Sequence, residues 1–273
     1  MKDILVVASA IGSFPVEVGY AAELARALRA DLTGLFVVEP FSVPAMFDPA
    51  AAALLELKAH ELLEQARDDR AAFLNMLRER GVARGDWLVA HGPELDATVF
   101  AASWHDLVVL GLQRDDTDSI AAASAAVLAA GVPFVLVPAG HTGTLRTDRI
   151  AVACNGSRES IRALHAALPL LKLGKRVVLM QGGQRKPLLT AMSEPPPFDP
   201  EAYLARHDIG FERCFLDEPD QTTGEEIAET AAAMDADILV MGAYGRSRLS
   251  EIVLGGATRR ALHASGIPLF VQH

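Results

Sequence analysis

Only two cysteines occur in 273 residues, Cys154 and Cys214. They form no CxxC pair, so neither a disulfide framework nor a cysteine metal site is implied, and each falls in an apolar, strand-like run where a free thiol behaves as a small core residue. Walker A is absent, because Gly174-Lys175 has no upstream glycine at the required spacing. G-x-S-x-G is absent too, because Gly245-Arg246-Ser247-Arg248-Leu249 lacks the closing glycine. The eight histidines (His60, His91, His105, His141, His165, His207, His263 and His273) show neither HExxH nor another paired ligand spacing. No nucleophile and base stand out together, so no catalytic residue is assigned. Positive charge is also short. The formal net charge of −10 argues against nonspecific binding to nucleic acid or to an anionic membrane.

Membrane signals are weak. Ile4 to Ile11 follows Lys2, but Asp3 interrupts its start and the run is short for a signal peptide. Ile120 to Ala139 is twenty uncharged residues. Its alanine content and its breaks at Gly131 and Pro133 make it a helix followed by a strand, not a bilayer span. The expected location is the cytoplasm.

What is abundant is apolar surface: 51% of the residues are hydrophobic. A chain of this length and composition can bury one large core or two smaller ones. Continuous apolar runs, suited to buried parallel strands, alternate with helical spacings. In the first half the strands are Asp3–Ser9, Leu32–Val38, Trp87–Ala90, Leu107–Leu110 and Phe134–Val137. The helices are Val16–Arg29, Ala50–Arg80, Leu95–Trp104 and Ile120–Ala130. Such alternation predicts parallel sheets with helices on both faces, and ligands at the carboxyl ends of the strands. The acidic stretch Gly111 to Asp118 would repel phosphate. Its Asp115, Asp116 and Asp118 lack the glycine and terminal Glu of a calcium loop, which leaves a solvated loop.

After Gly140–Asp148, the best linker candidate, the pattern restarts. Ile150–Cys154 echoes Ile4–Ala8, Asp237–Gly242 echoes Asp106–Gly111, and Gly266–Val271 echoes Gly131–Val137. Three matches in one order make an internal repeat of roughly 135 residues, far beyond a solenoid period. Two copies of one domain are expected, at 1–140 and 148–273. In the second copy Asn155-Gly156-Ser157 forms the turn before a helix over Arg158–Leu171, with Ser157 as its cap. Val177–Met180 and Phe211–Leu216 are strands, and Glu201–His207 and Thr223–Met234 are helices. Gly183–Pro200 carries five prolines and replaces the long helix of the first copy. It is read either as a lid or as a plain surface loop. Thr222 with Glu225, or Thr223 with Glu226, makes a capping box.

The most informative stretch is Asp237–His273. A strand ending at Met241 runs into Gly242-Ala243-Tyr244-Gly245; nine residues later come Gly255-Gly256, then a short helix from Ala257 and a last strand. Glycines admit positive φ and close ligand approach, and a helix start favours an anion. Arg246, Arg248, Arg259 and Arg260 add positive charge. The loop could hold phosphates, or it could be a tight connection with solvated arginines.

The spacing Gly242-x2-Gly245-x9-Gly255, with its flanking strand and helix, resembles the phosphate loop of ATP-binding universal stress proteins. The repeat is similar to the tandem two-domain form of that family, so the resemblance covers nearly the whole chain. It implies an α/β fold of two repeated doubly wound parallel-sheet domains, Rossmann-like and of the adenine nucleotide alpha hydrolase-like type. It also implies an ATP site in the second domain, with or without Mg²⁺, and a first domain whose loop is degenerate. By resemblance the phosphates would meet Gly242, Gly245, Gly255, Gly256, Ala257 and Thr258. Gly256 stands where the family usually has a hydroxyl, and Thr258 where it often has another. Asn155 stands where the family often has a nucleoside-binding aspartate; a turn asparagine is the other reading. Gly182 matches the backbone that meets adenine. Met241, Tyr244 and Arg246 border the loop, and Tyr244 would stack on a ligand or pack on the sheet edge. The implied role is regulatory, with at most weak ATP hydrolysis. Alternatives are a nucleotide-free structural or partner-binding protein and a slow hydrolase. Expected partners are the nucleotide, the two domains for each other, and a second chain in a homodimer; nucleic acid and membrane are not expected.

Overall fold

The structure is a computed structural model, and it describes residues 1–40, 49–113, 116–181, 199–216, 224–243 and 266–273. Among these are ten strands and eight helices. They divide into two compact units, Met1–Gly111 and Leu112–His273.

The first unit contains β1 (Asp3–Val7), α1 (Val16–Leu28), β2 (Asp31–Val38), α2 (Pro49–Glu79), β3 (Gly85–His91), α3 (Glu94–Ala102) and β4 (Leu107–Gly111). Its strands lie in the order β3-β2-β1-β4, all parallel. Ile4 to Val7 and Leu107 to Leu110 are buried throughout, as continuous apolar strands require when both faces are covered. α1 buries Val18, Tyr20, Ala21, Leu24 and Ala25 at helical spacing and ends on Arg29 in the left-handed region, φ 54°. The long helix α2 buries Phe73 and Leu77. Phe73 and Phe14 pack around Trp87, whose Nε1 donates to the Ala66 carbonyl at 2.6 Å. Gly34 lies beneath that indole; a Cβ there would sit 2.5 Å from Trp87 Cε3.

The second unit contains α4 (Thr117–Ala130), β5 (Phe134–Val137), β6 (Arg149–Ala153), α5 (Arg158–Ala166), α6 (Leu168–Leu171), β7 (Arg176–Gln181), α7 (Pro200–Arg206), β8 (Phe211–Phe215), α8 (Gly224–Ala233), β9 (Ile238–Gly242) and β10 (Leu269–Gln272). Its strand order is β5-β10-β9-β6-β7-β8. All neighbours are parallel except β5 and β10, which run antiparallel with Val135 opposite Phe270. β5 is the last strand of the first sequence repeat, so it and α4 join the second compact unit. The helix expected over Arg158–Leu171 is two helices. Pro169 has no N–H to give and stands in the first turn of α6, so the ladder breaks at Ala167.

The repeat is visible atom by atom. Asp106 donates its N–H to the Asp3 carbonyl at 2.8 Å and takes the Lys2 and Asp3 N–H groups on its carboxylate. Asp237 donates to the Arg149 carbonyl at 2.8 Å and accepts the Arg149 N–H at 2.9 Å. Each aspartate thus ties the amino ends of two parallel strands. Asp116, read as part of a solvated loop, caps α4 through the Asp118 N–H at 2.9 Å. Among the described residues no cluster of metal-ligating side chains occurs, and no helix is long and apolar enough to cross a membrane. Both cysteines are free; Cys154 is buried and Cys214 half-buried.

Candidate strand-end site of the second unit

β6 has β7 on one side and β9 on the other, so the chain reverses its direction of travel across the sheet at the β6/β9 boundary. In open α/β sheets a crevice forms at the carboxyl ends of two such strands. The register Ala153↔Met241 brings those ends level, with Cys154-Asn155 following one and Gly242-Ala243 the other.

The turn after β6 is closed by its own side chains. Asn155 Oδ1 accepts the Ser157 N–H at 3.0 Å, and Gly156 takes φ 75°. This is an Asx turn followed by a residue in the left-handed region that glycine occupies without strain. Ser157 caps α5, its Oγ accepting the Ser160 N–H at 3.2 Å. Ser160 Oγ in turn donates to the Ser157 carbonyl at 3.0 Å and lies 3.6 Å from Cys154 Sγ. Asn155 is exposed, and its Nδ2 makes no hydrogen bond among the described residues.

Gly242 fixes how close the two elements come. A Cβ built on it would fall 2.4 Å from the Ser160 nitrogen and 2.5 Å from the Glu159 carbonyl carbon. Only a glycine lets β9 run this close under the first turn of α5. The next residue is held on the far side: the Ala243 N–H donates to the Gln272 carbonyl at 2.8 Å, and the Ala243 carbonyl lies 3.3 Å from His273 Nδ1.

Of the residues predicted for the site, the structure brings together Asn155, Met241 and Gly242. Gly182, Tyr244, Gly245, Arg246, Gly255, Gly256, Ala257 and Thr258 lie outside the described residues, as do residues 183–198 of the proline-rich segment and both capping-box threonines. Ser157 caps α5 as its sequence position led one to expect, but Ser160, whose N–H it accepts and whose backbone Gly242 approaches, was not singled out. Its signal was there in the S-x-x-S spacing at the head of an apolar-periodic run.

The equivalent edge of the first unit is acidic. Glu17 is buried at the start of α1, and Glu39 Oε1 accepts the Glu94 N–H at 3.0 Å. Lost hydration, and then the neighbouring Glu39 carboxylate, raise Glu94 above the ordinary carboxylate range. Glu17 was also missed; its i+3, i+4 and i+7 neighbours Tyr20, Ala21 and Leu24 are all core residues, which marks a glutamate on the apolar face.

Residues 146–273 match the Universal stress protein family. No curated protein matches the chain. Solved structures match its fold end to end. A universal stress protein from Archaeoglobus fulgidus DSM 4304 is 15% identical, with 99% of this chain and 95% of that one covered at a TM-score of 0.68. A protein of unknown function from Pseudomonas aeruginosa PAO1 is 18% identical, with 100% and 92% covered at 0.58. The cytoplasmic domain of a prokaryotic cation chloride cotransporter is 14% identical, with 99% and 94% covered at 0.51. At these identities the structures establish the α/β fold over both halves.

Proposed function

We propose that this tandem universal stress protein binds an adenine nucleotide, ATP with or without Mg²⁺, in its second half, and acts as a regulatory module rather than a catalyst. The supporting observation is the approach of Gly242 to the capped first turn of α5 at the level ends of β6 and β9. That strand-end position is where an open α/β sheet places a ligand, and the Arg158 and Glu159 N–H groups, which make no hydrogen bond among the described residues, favour an anion there. In this reading Asn155 Nδ2 donates to the nucleoside, and backbone at Gly182 borders the adenine. Gly242, Gly245, Gly255 and Gly256 let the chain approach the phosphates, with Thr258 offering a hydroxyl, Tyr244 and Met241 as walls and Arg246 as charge.

The functional repeats are 1–140, which lacks the loop, and 148–273, which has it. Pairing of the two repeats through their last strands is supported by the antiparallel match of β5 with β10. A homodimer and a cytoplasmic location complete the proposal.

A second reading, a nucleotide-free partner-binding protein, is favoured by Asn155 Oδ1, which is already committed to the Ser157 N–H. A thermal-shift titration with ATP and Mg²⁺ separates the two, wild type against Gly245→Asp. Nucleotide at about 100 times its Kd should stabilise the wild type by about 2.7 kcal/mol. The variant should show no rise. No rise in either protein favours the partner-binding reading. A slow hydrolase would require phosphate release that disappears in Gly245→Asp.

A further inference from the structure

We propose that Glu17 is an internal anion: its side chain occupies the strand-end crevice of the first unit and makes that unit refuse phosphates and carboxylates from outside. The inference concerns the half of the chain that the nucleotide reading leaves without a role.

Three observations carry it. First, β1 lies between β2 and β4, so the β1/β4 boundary is the point where the first unit's chain reverses across its sheet. Second, Glu17 fills that point. The residue is 4% exposed, and its Oε1 accepts the Ser9 N–H at 3.0 Å, just past the end of β1. On the β4 side, a Cβ on Gly111 would lie 2.6 Å from Oε2 and 2.7 Å from Cδ. The carboxyl group therefore sits between the ends of both strands, in the first turn of α1, where a helix dipole favours an anion. Third, the second unit differs at this point: Glu159, the second residue of α5 as Glu17 is of α1, is only half-buried. For Gly242, the repeat's counterpart of Gly111, the three atoms nearest to such a Cβ among the described residues are backbone atoms of Ser160 and Glu159.

A buried carboxyl group is costly unless hydrogen-bonded, so its position here is specified. The backbone donor and the dipole that would serve a ligand's anionic group serve Glu17 instead. Glu17 is thus a specificity-determining residue: it restricts anion recognition to the other half of a chain whose two halves share one fold.

The test uses the full chain with formate as the probe and sodium chloride at equal ionic strength as the control. Amide exchange at Ser9 and the melting temperature are measured in wild type, Glu17→Ala and Glu17→Gln. In Glu17→Ala the Ser9 amide should exchange roughly tenfold faster, the factor of a typical lost hydrogen bond. Formate, and not chloride, should restore protection and raise the melting temperature saturably. Glu17→Gln keeps an acceptor oxygen and the volume, so it should keep Ser9 protected and ignore formate. Unchanged Ser9 exchange in Glu17→Ala, or equal effects of formate and chloride, would overturn the proposal. Should Glu17→Ala fail to fold, Glu17→Ser, short and uncharged, takes its place with the same expectations. No nucleotide is present in any arm, so failure of the ATP reading leaves the result intact.

Discussion

Gly242 and Ser160 touch through their backbones, with room for a hydrogen but not for a methyl group. Strand β9 and helix α5 are therefore held at one close separation. Gly242→Ala should push the elements apart. Overpacking of this kind costs about 1–3 kcal/mol. Urea unfolding should show a lower midpoint, and ATP should no longer raise the melting temperature. An unchanged midpoint would mean that α5 slides freely over β9.

Ser157→Ala removes the side-chain cap of α5. Loss of such a cap costs about 1 kcal/mol. Ser157→Asp, which also caps and adds favourable charge to the dipole, should recover that stability. Equilibrium unfolding of the pair checks both; equal stability of the alanine and aspartate variants would count against the cap.

Asp106 ties β4 to β1, and its carboxyl is held below its usual range. The Lys2 N–H is the main cause, with the Asp3 N–H and the amino group at Met1 adding to it against partial burial. A lowered carboxyl pKa contributes stability that is complete above the unfolded value of about 3.9 and fades as pH falls through the folded value. Asp106→Asn should therefore lose melting temperature at pH 6 and converge on the wild type in strong acid (about pH 2, below both values). A constant gap across that range would show that the charge does not matter.

His165 on α5 stacks on Tyr203 of α7, with ring centroids 4.2 Å apart and planes 6° from parallel. Burial, and then His207, lower the His165 pKa. For a histidine the sign is clear: the unfolded chain takes up the proton first, so stability falls as pH drops below about 6.5. His165→Phe keeps the stack and removes the proton site. Its melting temperature should fall less than that of the wild type between about pH 7 and pH 5. Parallel curves would place the pH response elsewhere.

Much of the fold is legible because continuous apolar runs such as ILVV and LVVL admit few alternatives to buried parallel strands. The repeat was legible for a related reason: Asp106 and Asp237 each head such a run, and each performs the same tie. The break at Pro169 was readable in principle, since a proline cannot donate within a helix, but the flanking leucines continue the helical spacing across it. The antiparallel match of β5 with β10 left no trace in periodicity, because strand direction depends on the path of the whole chain. Of the site, the glycine that needs closeness was legible from its spacing; the residue it approaches was not. Glu17 escaped for a different reason. A glutamate in a helix is ordinarily a solvated charge, and the apolar face it shares with Tyr20, Ala21 and Leu24 shows that it is buried but not that it lies between the ends of β1 and β4.

The pairing of β5 with β10 also has a kinetic side. Phe134–Val137 must find Leu269–Gln272 across roughly 135 residues of intervening chain, a closure whose entropic cost precedes its reward. While the chain is being synthesised, FVLV has an uncharged, wholly apolar strand edge that awaits a segment made much later. Such an edge is a template for the wrong neighbour, including the same strand of another nascent chain. The seam that joins the repeats is therefore the place where chaperone demand during synthesis should concentrate.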